Sequence, residues 1–224
     1  MKILVFAPHN DDEVLGVGGT IAKYAAQGNE VIVCEVTSGD KSLWKMISDE
    51  ASRAHKILGV SQTIFLDLPV VGLKDIPTEM INSKFQEVVN SVKPDIAFIP
   101  HKGDMHIDHQ ETSKAAMVAL RPIDNPQLKA IYVYETLSET EWNIPSVDNV
   151  FIPNTWNDIT DYIKIKMQAM ECYNSQLRDF PNPRSLEAIE ALSKLRGSTV
   201  DLKMRSALFR LDKNCKYKSY EKNY

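Results

Sequence analysis

Two short stretches of this chain have residue types and spacing that could do chemistry. His9-Asn10-Asp11-Asp12-Glu13 packs one imidazole and three carboxylates directly after the apolar run Ile3-Leu4-Val5-Phe6. Carboxylates that close repel one another unless something positive sits among them, and a metal ion meets that need. Much later, Pro100-His101-Lys102-Gly103-Asp104-Met105-His106-Ile107-Asp108-His109 follows another apolar run with a similar set. His9 and Asp12, three apart at the mouth of a predicted helix, can turn to one side, and His109 stands at the entrance of another. His, Asp and His form a nitrogen-oxygen set typical of catalytic zinc, leaving a position for water. The same set suits non-haem iron, so iron(II) is also admitted. A divalent ion lowers the pKa of its water to about 7. Asp11 adjoins a ligand but projects differently, which suits a general base. His106, held by Asp108, suits stabilising an oxyanion or protonating a leaving group. These roles define metal-assisted hydrolysis of an amide or ester.

Stepping outward, hydrophobic patterning must position these groups. Apolar, β-branched runs predict strands over 2–7, 30–36, 63–66, 95–99 and 130–134, and helical spacing predicts helices over 14–26, 43–58, 78–92 and 110–120. Their alternation predicts an α/β, Rossmann-like domain, a mostly parallel sheet with helices on both faces. Right-handed crossovers bring the carboxyl ends of the strands to one rim, so the His9 and His106 clusters should meet there. A C-terminal extension is expected beyond: an edge strand over 150–153, a helix over 158–174, and a helix capped by Ser185 and running to Arg196. No linker divides the chain, so 1–224 reads as one domain. Gly16, Gly18 and Gly19 fail the dinucleotide-loop pattern because Ile21 stands where its last glycine is needed; helix packing explains them instead.

Composition narrows the class. A chain of 224 residues with 43% hydrophobic and 25% charged residues has the make-up of a soluble globular protein. A net charge of -4 gives no global basic field, so nucleic acid is not expected as a partner. The lysine-rich end, 213–224, reads as a solvated tail. Cys34, Cys172 and Cys215 form no disulfide framework. With no secretory leader and no apolar run able to span a bilayer, the expected setting is cytoplasmic. His55 is expected on a solvated helix face, His101 in a structural or supporting role, and Trp142 and Trp156 in packing. Arg184 could pair bidentately with an anionic group of a substrate or with an internal carboxylate.

At these residues the chain resembles the PIG-L/LmbE-like family of metal-dependent N-acetylglucosaminyl deacetylases. The family's (A/P)HPDDE motif stands as Pro8-His9-Asn10-Asp11-Asp12-Glu13, and its HxDH motif as His106-Ile107-Asp108-His109. The similarity continues through Tyr134-Glu135, Phe180-Pro181-Asn182-Pro183-Arg184-Ser185 and Arg196-Gly197. The resemblance implies metal ligands His9, Asp12 and His109, Asp11 as base, and His106 as an acid oriented by Asp108. It implies Glu13 in a supporting or sugar-facing role; Glu13 and, from its own chemistry rather than the resemblance, Arg184 are the candidate substrate contacts. The implied activity removes acetyl from an N-acetylated amino sugar, with Zn2+ as cofactor (Fe2+ also admitted). The implied partner is a small N-acetyl sugar conjugate, with a homo-oligomer admitted. Asn10 replaces the usual proline, which loosens the turn but removes no ligand, and two further departures bear on specificity: Leu68-Pro69-Val70-Val71-Gly72 lacks an acidic residue, and Arg205-Ser206-Ala207-Leu208-Phe209 lacks a glutamate. Hydrolysis of another amide or ester conjugate, and a metal-binding module without turnover, stay open as alternatives.

Overall fold

The computed structural model describes residues 1–39 and 42–212. The tail read as solvated, Cys215 and Asp40 lie outside the described residues. Seven strands form one sheet: β1 (Lys2–Ala7), β2 (Glu30–Ser38), β3 (Gln62–Pro69), β4 (Ile96–Pro100), β5 (Ala130–Tyr134), β6 (Thr155–Asp158) and β7 (Arg205–Asp212). The helices are α1 (Asp12–Ala26), α2 (Trp44–Leu58), α3 (Thr78–Val92), α4 (Ile107–Ala119), α5 (Ile163–Met170) and α6 (Leu186–Ser198).

The sheet order is β3-β2-β1-β4-β5-β7-β6, with β1 to β5 parallel and β7 antiparallel to both β5 and β6. The alternation of β1 explains why both faces are covered. Ile3, Val5 and Ala7 enter one core with residues of α1, α2, α5 and α6, whereas Leu4 and Phe6 enter the other with residues of α3 and α4. The expected mostly parallel α/β sheet is therefore present. Its strand order reverses between β1 and β4, and a crevice opens outside the carboxyl ends at such a point. Both polar clusters follow those two strands.

The edge beyond β5 departs from expectation. Residues 150–153 are irregular, and the edge strand begins at Thr155. Pro153 has no N–H to give a ladder, while Asn154 brackets Arg210 by accepting its N–H at 2.7 Å and donating to its carbonyl at 3.3 Å. The helix expected over 158–174 is confined to Ile163–Met170. Its intended start is consumed by a turn in which the Asp158 carboxylate accepts from the Thr160 N–H and hydroxyl at 3.0 and 2.6 Å. The strand over Arg205–Asp212, inserted between β5 and β6, was not anticipated. Among the described residues no helix is long and apolar enough to cross a membrane.

Helix α1 must lie very close to the sheet. A Cβ on Gly16 would overlap the ring of Tyr134, and one on Gly19 would stand 2.8 Å from Ile159 Cδ1. The Tyr134 ring is fixed by its hydroxyl, which donates to the Phe6 carbonyl at 2.7 Å. The predicted packing role of these glycines thus has a stated cause. Gly16→Ala is expected to lose about 1–3 kcal/mol of stability, as overpacking does, read as a lowered urea midpoint with an unchanged slope.

Candidate active site

The turn after β1 is fastened to β2: the Pro8 carbonyl accepts from the Thr37 N–H at 3.0 Å and its hydroxyl at 2.7 Å. His9 sits in this turn, and Asp12 opens α1. The His9 N–H donates to Asp12 Oδ2 at 2.9 Å, which aims the carboxylate back across the turn. From the other side of the crevice, the first turn of α4 brings in His109. His109 Nε2 lies 3.0 Å from Asp12 Oδ2, His9 Nδ1 lies 3.3 Å from the same oxygen, and the two ring nitrogens are 3.3 Å apart. Tetrahedral ligands with bonds of about 2.0–2.1 Å stand about 3.3 Å from one another. Asp12 Oδ1 is buried without a hydrogen-bond partner. Donor types, spacing and the orphaned oxygen all fit a divalent cation, and the three side chains form one potential metal-holding group.

Both imidazoles are held from behind, as ligating histidines are when an outer carboxylate fixes the ring and its tautomer. His109 Nδ1 is 2.8 Å from Asp104 Oδ2, and Asp104 Oδ1 accepts from the Thr140 hydroxyl at 2.6 Å. His9 Nε2 is 3.2 Å from Asp108 Oδ2. Asp108 also accepts from the N–H groups of Val71 at 2.6 Å and Leu73 at 3.3 Å. Burial alone would lower the pKa of both histidines, but the carboxylates prevail, raising His9 to about 9 and His109 to about 10. Asp12 is held well below the carboxylate range, since the histidine charges and hydrogen bonds outweigh its burial. A cation at this point competes with those protons.

His106 differs from its expected setting. The Asp108 carboxylate stands 3.8 Å from His106 Nδ1, farther than from His9, and that nitrogen instead accepts the Asp108 N–H at 3.1 Å. Partial burial and the charge of His9 push His106 down to about 4. The Asp108 carboxylate thus stands behind His9 more closely than behind the ring it was expected to orient. A neutral ring that accepts at Nδ1 carries its hydrogen on Nε2, which makes it a donor.

Asp11 caps α1 through its carbonyl, which accepts from Val14 and Leu15 at 3.0 and 2.9 Å, but its side chain makes no cap bond. Burial pushes this carboxyl up to about 8, against the lowering by Arg184. Its Oδ2 has no hydrogen-bond partner and lies 3.5 Å from Arg184 Nη1. Arg184 also donates to Ser138 Oγ and Gln176 Oε1, both at 2.8 Å, and lies 3.5 Å from Glu139. It therefore pairs with internal carboxylates at the rim of a cleft of about 260 Å3. His9, Asn10, Val70, His106, Glu139 and Arg184 are among the residues lining that cleft. Two larger hollows lie elsewhere among the described residues, and His9, Asp12 and His109 are not in their linings.

Glu13, carried here as a supporting or sugar-facing residue, has a fully buried side chain that receives the Tyr173 hydroxyl at 2.6 Å. His55 overturns its expected solvated placement. It is buried, with Nε2 3.3 Å from Glu13 and 3.2 Å from Glu35. Helical periodicity concealed this because His55 precedes neither a strand end nor a motif, and its partners are distant in sequence. His101 is buried with Nε2 2.8 Å from the Asn149 carbonyl, a structural bond. Trp142 is 55% exposed, so the packing expected of it is only partial. Asp104, quoted within the second cluster, was given no role by sequence reasoning. Its spacing of five residues before His109 was the available signal.

The family described as PIG-L: GlcNAc-PI de-N-acetylase matches residues 4–120, over half of the chain, and the chain belongs to it. Among curated relatives, "Uncharacterized deacetylase YaiS" of Escherichia coli is 29% identical over 180 residues, spanning 77% of this chain and 90% of its own. "Probable N-acetyl-alpha-D-glucosaminyl L-malate deacetylase 2" of Bacillus anthracis is 25% identical, spanning 78% of this chain and 80% of its own. Among solved structures, the conserved protein TT1542 from Thermus thermophilus superposes with a TM-score of 0.76 at 26% identity, covering 92% of this chain and 93% of its own.

The backbone of Asp11 has φ 132° and ψ -23°, a conformation that residues with side chains rarely adopt. Such positions cost about 1–3 kcal/mol when the residue is not glycine. Asp11→Gly and Asp11→Ala both remove the carboxylate, so their difference isolates the backbone. The glycine variant is expected to be the more stable by about 1 kcal/mol after its extra unfolded-state entropy is counted. Chemical denaturation of the two variants checks this.

Proposed function

We propose that the chain is a zinc-dependent deacetylase that hydrolyses the N-acetyl group of an amino-sugar conjugate, giving acetate and a free amine. The observation that carries the reading is the convergence of His9 Nδ1, Asp12 Oδ2 and His109 Nε2 within 3.0–3.3 Å, behind a cleft that His9 and His106 line and next in sequence to Asp11. His9, Asp12 and His109 would hold the ion, and Fe2+ suits the same donors. When bound, the ion polarises the acetyl carbonyl and acidifies water.

This chain's own residues supply the rest. Asp11 takes the proton of the attacking water as its oxygen bonds to the acetyl carbon. The proximity of a divalent cation would draw the Asp11 carboxyl down from its raised value and leave it ionised. His106 presents its Nε2–H to the oxygen on which negative charge develops. As the carbon-nitrogen bond breaks, the proton that Asp11 took from water passes to the leaving nitrogen, so acetate and the free amine leave and Asp11 is again a carboxylate. Asp104 and Asp108 fix the two ligand rings; Asp108 thus acts on His9 more directly than on His106. Arg184, tied to Asp11, Glu139, Ser138 and Gln176, orders the cleft wall.

The cleft, about 260 Å3, is just below the roughly 300–1,000 Å3 of pockets for drug-sized ligands, which suits a single sugar unit with its attached group outside. The B. anthracis relative's printed name, a deacetylase of an N-acetylglucosaminyl conjugate, supports that substrate class. Cys34 and Cys172 are free thiols, which suits a reducing, cytoplasmic setting.

Metal analysis is expected to find one zinc or iron per chain, with chelation abolishing acetate release from a panel of free, nucleotide-linked, lipid-linked and malate-linked N-acetylhexosamines. Asp11→Asn should keep the metal and lose turnover by roughly 10²–10⁴-fold, the scale of general acid-base help. Full activity of that variant would remove Asp11 from the base role, and bound metal with no acetate from any conjugate would remove the deacetylase reading.

A further inference from the structure

Behind Asp11 lies a buried group that the proposed chemistry does not use: Glu13, Glu35, His55 and Tyr173, each at most 3% exposed. It touches Asp11 at one point. The Asp11 N–H donates to Glu13 Oε2 at 3.2 Å, across the turn whose φ is 132°. An unfavourable backbone conformation persists only where its surroundings over-determine it, and the other oxygen of Glu13 is where that happens. Glu13 Oε1 receives the Tyr173 hydroxyl at 2.6 Å and lies 3.3 Å from His55 Nε2.

Both contacts are themselves anchored. His55 Nδ1 is 2.7 Å from the Thr63 hydroxyl of β3, and its Nε2 is 3.2 Å from Glu35 of β2. Tyr173 follows α5, and the next turn is tied to α2, where Glu50 accepts the Ser175 N–H at 3.1 Å and its hydroxyl at 2.6 Å. Burial would lower the pKa of His55, but Glu13 and Glu35 raise it to about 10, while burial pushes Glu35 up to about 8. The contacts from α2, β2, β3 and the segment after α5 all lead to one carboxylate. That carboxylate holds the N–H of the residue proposed as base.

We propose that His55 and Tyr173 are positioning residues which, through Glu13, clamp the Asp11 turn and so aim its carboxylate into the cleft. The catalytic consequence rests on the deacetylase reading; the clamp itself is a statement about the Asp11 backbone. The same triad of Glu13, Glu35 and His55 has the spacing of a metal-holding group, and a cation there is the competing outcome.

Tyr173→Phe removes only the hydroxyl, and Glu35→Gln weakens the hold on His55 without a change of shape. In both, with one zinc per chain retained, kcat for acetate release from N-acetyl-α-D-glucosaminyl L-malate is expected to fall about 10–100-fold, as small misplacements of a catalytic group do, while KM stays. Crystal structures of the zinc-loaded variants should show the Asp11 turn relaxed and its bond to Glu13 lost. Wild-type kcat together with an unaltered Asp11 turn in both variants would overturn the clamp. So would a second zinc in the wild type that disappears in Glu35→Gln. If the wild type itself releases no acetate from this probe, the deacetylase reading fails for that conjugate, and the Asp11 turn in the variant structures still decides the clamp.

Discussion

The structure depends on the crowding of buried charge at the break between β1 and β4. Asp11, Asp12, Glu13, Asp104 and Asp108 are all buried there, where desolvation would normally neutralise such groups. They are tolerated because each faces a specific partner: imidazole nitrogen for Asp12, Asp104 and Asp108, tyrosine hydroxyl for Glu13, guanidinium for Asp11. The partners come from both halves of the sheet, so the rim closes only when the crossovers have brought β4 beside β1. Fold and site are in that sense one construction.

The same crowding explains a division of labour among side chains that look alike in the sequence. Three successive carboxylates at positions 11 to 13 have three environments, set by one helical turn. Asp12 turns across to the imidazoles, Glu13 turns under the helix to Tyr173, and Asp11 remains at the cap with an oxygen that has no hydrogen-bond partner. Close approach of α1 to the sheet, enforced by Gly16 and Gly19, keeps that turn from shifting. Glycines that might have been read as a phosphate loop therefore serve the site indirectly, by letting the helix that carries it lie against Tyr134 and Ile159.

Much of this was legible in the sequence, and what was not shares a physical cause. The five parallel strands could be read because each is a compact apolar run with local turn signals, and the rim rule then joined His9 to His109 without any contact information. What the pattern could not show were pairings made across the fold. Asp104 behind His109, Asp108 behind His9, and His55 between Glu13 and Glu35 are chosen by tertiary packing, which leaves no periodic trace. The two antiparallel strands beyond β5 escaped the pattern for a related reason. β6 is half-buried along its whole length and gains its identity from β7, which in turn pairs with β5.

The cleft itself is assembled on a different principle from the His9, Asp12 and His109 cluster. His9, Asp12 and His109 stand at strand ends and first helical turns, where the backbone is fixed by the sheet. The walls come from Val70 after β3, Glu139 after β5, and Gln176 and Arg184 between α5 and α6. Loops of that kind tolerate change far better than sheet strands do. Val70, in the segment where the family usually carries an acidic residue, presents an apolar surface to the cleft, while the nearby Val71 N–H, at φ 61°, holds Asp108. A single loop thus touches both systems: its backbone holds the carboxylate behind His9, and its side chain lines the cleft. Substitution at Val70 can therefore alter the cleft without disturbing the Val71 bond, and the cleft can diverge while the His9, Asp12 and His109 group stays as it is.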